Sequence, residues 1–273
     1  MSNYNTFNNS TERYPGITPP DPLQRYGSAH LDQDIFGISV SRLNIVQQLE
    51  FARKVLCITT SQLLILAFTM FFIVKVCPLF EWLKNSTWTW WIPVAPTFLF
   101  SLIIIWQLWN QYFQLTKAVR TTLLCLYTLT MSLVIANIVS KAVYEEGISV
   151  IIMTIFGLSC CILYTFQKRY SFSGVFPFVC SLGALCLCSL GLRYSYEMDP
   201  IEILFPITIA SLICIYIILE LYFIMQNVTS DDFMLANVCF FVDVLYPIYF
   251  IHHVCELTDN FDNVFPDILY PGN

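Results

Sequence analysis

Residues 203–225 read ILFPITIASLICIYIILELYFIM, a run of apolar side chains in which Glu220 is the one charge. A helix rises about 1.5 Å per residue and the hydrocarbon core of a bilayer is about 30 Å thick, so roughly 20 such residues are enough to cross it. Blocks of the same kind lie on either side. Val55–Val74, Trp90–Asn110, Thr121–Ser140, Ser149–Phe166 and Gly174–Leu192 precede it, and Leu235–Val254 follows. The chain is therefore expected to be an all-α integral membrane protein, a bundle of seven spans. A variant has six spans and a re-entrant last segment. Composition agrees: 57% of the residues are hydrophobic and 12% charged, too few charges to cover a soluble domain of this size.

The short segments between blocks carry most of the charge. Residues 1–35 are polar, with Pro15, Gly16, Pro19 and Pro20 in one stretch, and are expected to form a disordered tail with no cleavable signal peptide. Residues 36–54 mix apolar and polar side chains and suit a short helix at the interface before the first span. Residues 55–254 form the seven-span domain. Residues 255–273 are an acidic tail with Glu256, Asp259, Asp262 and Asp267 and no lysine or arginine. With the N-terminus in the cytosol, the inner side holds Arg42, Arg53, Lys54, Lys117, Arg120, Lys168 and Arg169, against Lys75, Lys84, Lys141 and Arg193 outside, as the positive-inside rule favours. Trp82, Trp88, Trp90 and Trp91 cluster as an aromatic belt would. Asn85-Ser86-Thr87 is a glycosylation sequon in the first outer loop.

Several function classes are excluded. A net charge of −6 argues against nucleic-acid binding. No metal-ligand spacing, phosphate loop, nucleophile elbow or intramembrane protease motif is present, so neither a resident metal nor an enzyme is expected. Most of the 11 cysteines sit inside apolar blocks and read as small packing residues; Cys77 and Cys255 flank spans and are a candidate bridge. His252 and His253 are expected at the interface, and Gln62, Gln107 and Asn137 as hydrogen-bond glue between helices.

Ionisable groups at depth are the informative residues, because a charge in hydrocarbon is costly without a partner or water. Two stand out, Glu220 in the sixth span and Asp243 in the seventh. Glu220 lies about ten residues before the centre of the connecting turn and Asp243 about thirteen after it, so in an antiparallel hairpin both reach similar depth, roughly 8–13 Å from the inner end. Either each bonds to a neighbouring helix, or the two face each other. Facing carboxylates cannot both ionise cheaply, so such a pair shares a proton, and when deprotonated it offers hard oxygen ligands to Ca²⁺.

Three stretches together resemble the Bax inhibitor/Lifeguard family of membrane proteins. Phe51-Ala52-Arg53-Lys54-Val55-Leu56, followed by Gln62-Leu63-Leu64, is similar to that family's entry to span one. Tyr164 to Phe172, containing Phe166, Gln167 and Arg169, is similar to its segment between spans four and five. Leu219 to Leu245, with Asp231-Asp232 in the turn, is similar to its last hairpin. The resemblance covers roughly residues 45–255. It implies six spans around a central last one, protection from programmed cell death, and a Ca²⁺ leak from an internal store gated by two acids on the last two spans, which by position are Glu220 and Asp243. It implies no cofactor, with Ca²⁺ as the permeant ion.

The resemblance also implies the lipid bilayer and other membrane proteins of cell-death or calcium pathways as partners. The membrane is expected to be the endoplasmic reticulum, with vacuole, Golgi and mitochondrion as alternatives. The chain departs from the family at Leu221-Tyr222, where polar residues are usual, at Ser171, where an aspartate is usual, and in lacking an arginine in the second span. A non-conducting regulator of cell death or ER stress acting by protein contacts is the alternative within the family. An unrelated seven-span receptor or transporter is the alternative outside it.

Overall fold

The computed structural model describes residues 40–75, 90–196 and 199–245. A 3-10 turn at Val40–Arg42 leads into α1 (Ile45–Lys75). There follow α2 (Trp91–Asn110), α3 (Lys117–Ala142), α4 (Tyr144–Tyr164), α5 (Phe176–Tyr196), α6 (Leu204–Asn227) and α7 (Phe233–Leu245). Among the described residues there is no strand, and α1 to α6 are long and apolar enough to cross a membrane. The protein is an all-α membrane protein. The described part of α7 has 13 residues, about 20 Å of helix, which is less than a bilayer core; the remainder of the expected last span lies outside the described residues. So do the two tails, Asn85, Trp82, Trp88, Cys77, Cys255, His252 and His253.

The interfacial helix expected over 36–54 does not stand apart. Ile45–Lys54 are the first turns of α1, which runs unbroken for 31 residues. No glycine or proline interrupts this segment, so nothing local ends the helix between the polar turns and the apolar ones. α2 carries Pro93 in its first turn, where a missing N–H matters least, and Pro96 inside the helix, where the bond to the Ile92 carbonyl is given up. Only Val143, with φ −151° and ψ 64°, separates α3 from α4. Glu145 and Glu146 then occupy the first turn of α4, where acidic groups complement the helix dipole.

Hydroxyls within the spans turn back on their own helix. Thr69, Thr97, Thr128, Thr154 and Thr208 each donate to the carbonyl four residues earlier, which satisfies them without water. Asn137 does likewise, donating to Leu133 O on α3, and Gln107 is exposed. Neither is the interhelical glue expected of it. Gln62 is, since its Nε2 on α1 donates to Thr128 Oγ1 on α3 at 3.0 Å.

α7 packs against α1, α2, α3 and α6, and α4 against α1, α3, α5 and α6. α6 is apolar all round, and half of its apolar window is buried, as expected of a helix at the middle of a bundle. Outward faces remain apolar: Phe68, Ile103, Leu163, Leu187 and Leu190 are exposed and suit contact with lipid tails. The cysteines Cys160, Cys161, Cys180 and Cys214 are free and lie on α4, α5 and α6.

α4 comes close to α5 and α6 at Gly157. A Cβ there would lie 3.0 Å from both Cys214 Sγ and Ser181 Oγ. Gly157→Leu is expected to cost about 1–3 kcal/mol by overpacking. Gly183→Ala on α5, where a Cβ meets open space, is expected to be neutral or stabilising by up to about 1 kcal/mol. Thermal unfolding of the two variants in nanodiscs checks both; equal melting temperatures would show that the close approach at Gly157 does not limit packing.

Candidate functional site

One end of the bundle gathers the start of α1, the α2–α3 and α4–α5 connections and the α6–α7 turn. Its lysines and arginines are those that the charge bias assigns to the cytosol. The α6–α7 hairpin is built from the turn inward. Val228 N donates to Ile224 O, closing α6. The Thr229 hydroxyl donates to Asp232 Oδ2 at 2.8 Å, and Asp232 O accepts from Leu235 N, opening α7. Deeper in, the Tyr216 hydroxyl on α6 donates to Phe240 O on α7 at 2.8 Å.

Glu220 lies on α6 one turn nearer the α6–α7 turn than Tyr216 and is 3% exposed. It is seven residues from the end of the helix, about 10 Å deep. Leu221, Tyr222, Phe223 and Ile224 beside it are all buried. Asp243 continues the backbone of α7 three residues beyond Phe240; its side chain lies outside the described atoms. α7 is also held to α1, where the Thr59 hydroxyl donates to Asn237 Oδ1 at 2.9 Å.

The three sequence stretches singled out above meet at this end. The Arg53 guanidinium of the first lies over the Phe166 ring of the second, 4.7 Å from its centroid. Lys54 Nζ, which also pairs with Glu50 Oε1 at 2.8 Å, lies 5.8 Å from the ring of Phe233 in the third. Phe172 of the second packs edge-on against Tyr222 of the third, with centroids 5.6 Å apart. Phe51 is buried beneath. Gln167 shapes the α4–α5 loop, its Oε1 accepting from Arg169 N at 2.6 Å and Tyr170 N at 2.7 Å while its Nε2 donates to Tyr170 O. The Arg169 guanidinium lies 5.4 Å from the Tyr170 ring.

The family described as Inhibitor of apoptosis-promoting Bax1 matches residues 48–259, well over half of the chain. The chain belongs to this family. No curated protein and no solved structure matches it.

Against that Bax1-inhibitor background the departures acquire a structural role. Leu221 and Tyr222, two of the departures named above, are buried, and the Tyr222 hydroxyl donates to Gly174 O at 2.9 Å. Gly174 has φ 73°, a backbone conformation that favours glycine. Tyr222 thus ties α6 to the α4–α5 loop. Ser171 Oγ lies 2.6 Å from Ser173 Oγ in the same loop.

In the sequence, Arg120 and Asp232 stand only as charges at the connections between spans. Both are buried, at 8% and 6% exposed, with Tyr112 at 1%. Arg120 Nε donates to Leu115 O at 3.0 Å, and its guanidinium lies 4.3 Å from the Tyr112 ring centroid. Burial pushes the Tyr112 phenol well above its ordinary range; Asp232 adds to the rise and Arg120 opposes it. A cation, a phenol and a carboxylate thus tie the α2–α3 connection to the head of α7. Among the described residues no group of three His, Cys, Asp or Glu could hold a metal ion.

Proposed function

We propose that this Bax1-inhibitor family member suppresses programmed cell death and passes Ca²⁺ out of an internal store, the endoplasmic reticulum, under the control of pH. The observation that supports this most directly is Glu220, a carboxyl group buried at depth in α6, where an ionisable group is costly without a partner or water and so marks a candidate pathway. Asp243, on the facing helix, is its proposed partner. Protonated, the pair holds α7 against α6. Deprotonated, the two charges repel, α7 loosens, and carboxylate oxygens face a permeant Ca²⁺.

The purified protein in liposomes, followed by Ca²⁺ flux from about pH 5 to pH 8, tests the reading. Flux that rises with pH is the expected result. The absence of flux above empty liposomes at every pH, with the protein folded, overturns conduction. One observation favours a second reading, a non-conducting regulator acting by contacts with other membrane proteins. Leu221 and Tyr222 replace polar neighbours of the acid with packed side chains, which removes water-binding groups from the supposed path.

A further inference from the structure

Between Glu146 and Glu197 the chain has no acidic residue, yet the α4–α5 loop in this stretch carries Lys168 and Arg169, both exposed. α1 brings a third cation to the start of the loop, the Arg53 guanidinium over the Phe166 ring. Among the described residues no carboxylate forms an ion pair with any of the three. Glu50, one turn before Arg53, is paired with Lys54 and adds only a longer-range attraction to Arg53.

The loop also keeps its aromatic rings at the surface. Phe166, Tyr170 and Phe176 are 59%, 49% and 53% exposed, which in water would be unfavourable. Their place in the fold accounts for it. Phe166 follows the end of α4 by two residues and Phe176 opens α5. The flanking turns expose Leu163 and Val179, side chains suited to lipid tails. The rings therefore stand where hydrocarbon gives way to headgroups, the level that aromatic residues favour.

Rings and cations are held together. Tyr170 stacks on Phe176, centroids 5.6 Å apart. Arg169 lies 5.4 Å from the Tyr170 centroid and Arg53 4.7 Å from that of Phe166. Gln167 fixes the backbone between them. A ring face attracts a guanidinium without neutralising it, so its fork of N–H donors stays available to a phosphate.

We propose that Arg53, Lys168 and Arg169 bind the headgroup of an anionic phospholipid in the leaflet at this end of the bundle, with Phe166, Tyr170 and Phe176 lodged beside its glycerol and upper acyl carbons. Each lysine or arginine near an anionic membrane surface strengthens attraction about fivefold. The rings add contact that only a lipid can use, so a free phosphate in solution gains the charge alone.

The test irradiates the full chain in nanodiscs with a phosphatidylserine carrying a diazirine at the top of one acyl chain, and with the matched phosphatidylcholine. Labelling of peptides from the α4–α5 loop should favour phosphatidylserine about tenfold or more. The preference should shrink in about 1 M KCl, where screening acts within about 3 Å. Arg169→Gln should cut it about fivefold. Lys117→Gln, the same charge change at another exposed position of the same end, should leave it unchanged. Phe166→Ser, which keeps every charge but removes the ring under Arg53, should weaken it about two- to fivefold. Should Arg169→Gln fail to fold, Phe166→Ser and the salt response of the wild type carry the test. Equal labelling of the loop by the two lipids would overturn the proposal. So would equal losses in Arg169→Gln and Lys117→Gln, the mark of a diffuse field, or displacement of the lipid by excess inorganic phosphate, the mark of a soluble anion.

Discussion

Glu220→Gln is expected to remove the rise of Ca²⁺ flux between pH 5 and pH 8, holding flux at pH 8 near its pH 5 level. The substitution keeps the shape of the side chain and its hydrogen-bonding capacity but cannot ionise. If proton release from the Glu220–Asp243 pair loosens α7, the amide locks the closed arrangement whatever the pH. One pKa unit corresponds to about 1.4 kcal/mol and a tenfold change in population, so the loss of flux at pH 8 should be on the order of tenfold or more. Asp243→Asn should act in the same direction. The double variant should be no worse than either single one, because two members of a coupled pair are not additive. Additive losses would show that the two acids act separately. Unchanged flux in both single variants would remove the pair from the mechanism.

Arg120→Met should produce the largest loss of stability among single substitutions at the inner end. The arginine gives a charged hydrogen bond to Leu115 O and covers the Tyr112 ring beside the buried Asp232. Hydrogen bonds from charged groups contribute about 1.5–3 kcal/mol and a desolvated cation–π contact about 2 kcal/mol. Methionine preserves the packing volume but leaves the Leu115 carbonyl without its charged donor and the Tyr112 ring without its cation. A destabilisation of about 2–4 kcal/mol is expected. Arg120→Lys should fall between, since a lysine keeps the charge but not the planar fork. Thermal unfolding in nanodiscs measures both. An Arg120→Met protein within 0.5 kcal/mol of wild type, roughly the scatter of surface substitutions, would mean that the cluster does not anchor α7.

The spans were legible because hydrocarbon demands continuous apolar runs, and α2 and α6 follow their expected blocks closely. The three stretches that carry the resemblance were legible as pieces of sequence, and their convergence through Arg53, Phe166, Lys54, Phe233, Phe172 and Tyr222 follows from the fold. The continuity of α1 was not legible. Gln47, Gln48, Glu50, Arg53 and Lys54 look interfacial by type, yet type does not end a helix; only a breaker would. Nor was the burial of Arg120 and Asp232, which depends on elements far apart in sequence coming together. The faces of Gln107 and Asn137 were equally hidden, since in a helix apolar on every side no periodicity says which way a polar residue points.

Thr59 and Asn237, joined by a hydrogen bond between α1 and α7, stand 178 residues apart in the chain. At about 5–20 residues per second, a ribosome needs roughly 10–35 s to deliver the second after the first. Throughout that interval α1 is already in place, with the seat for α7 vacant. The seat between α1, α2, α3 and α6 is thus the last to be filled, and the nascent protein must keep it open until its final described helix arrives.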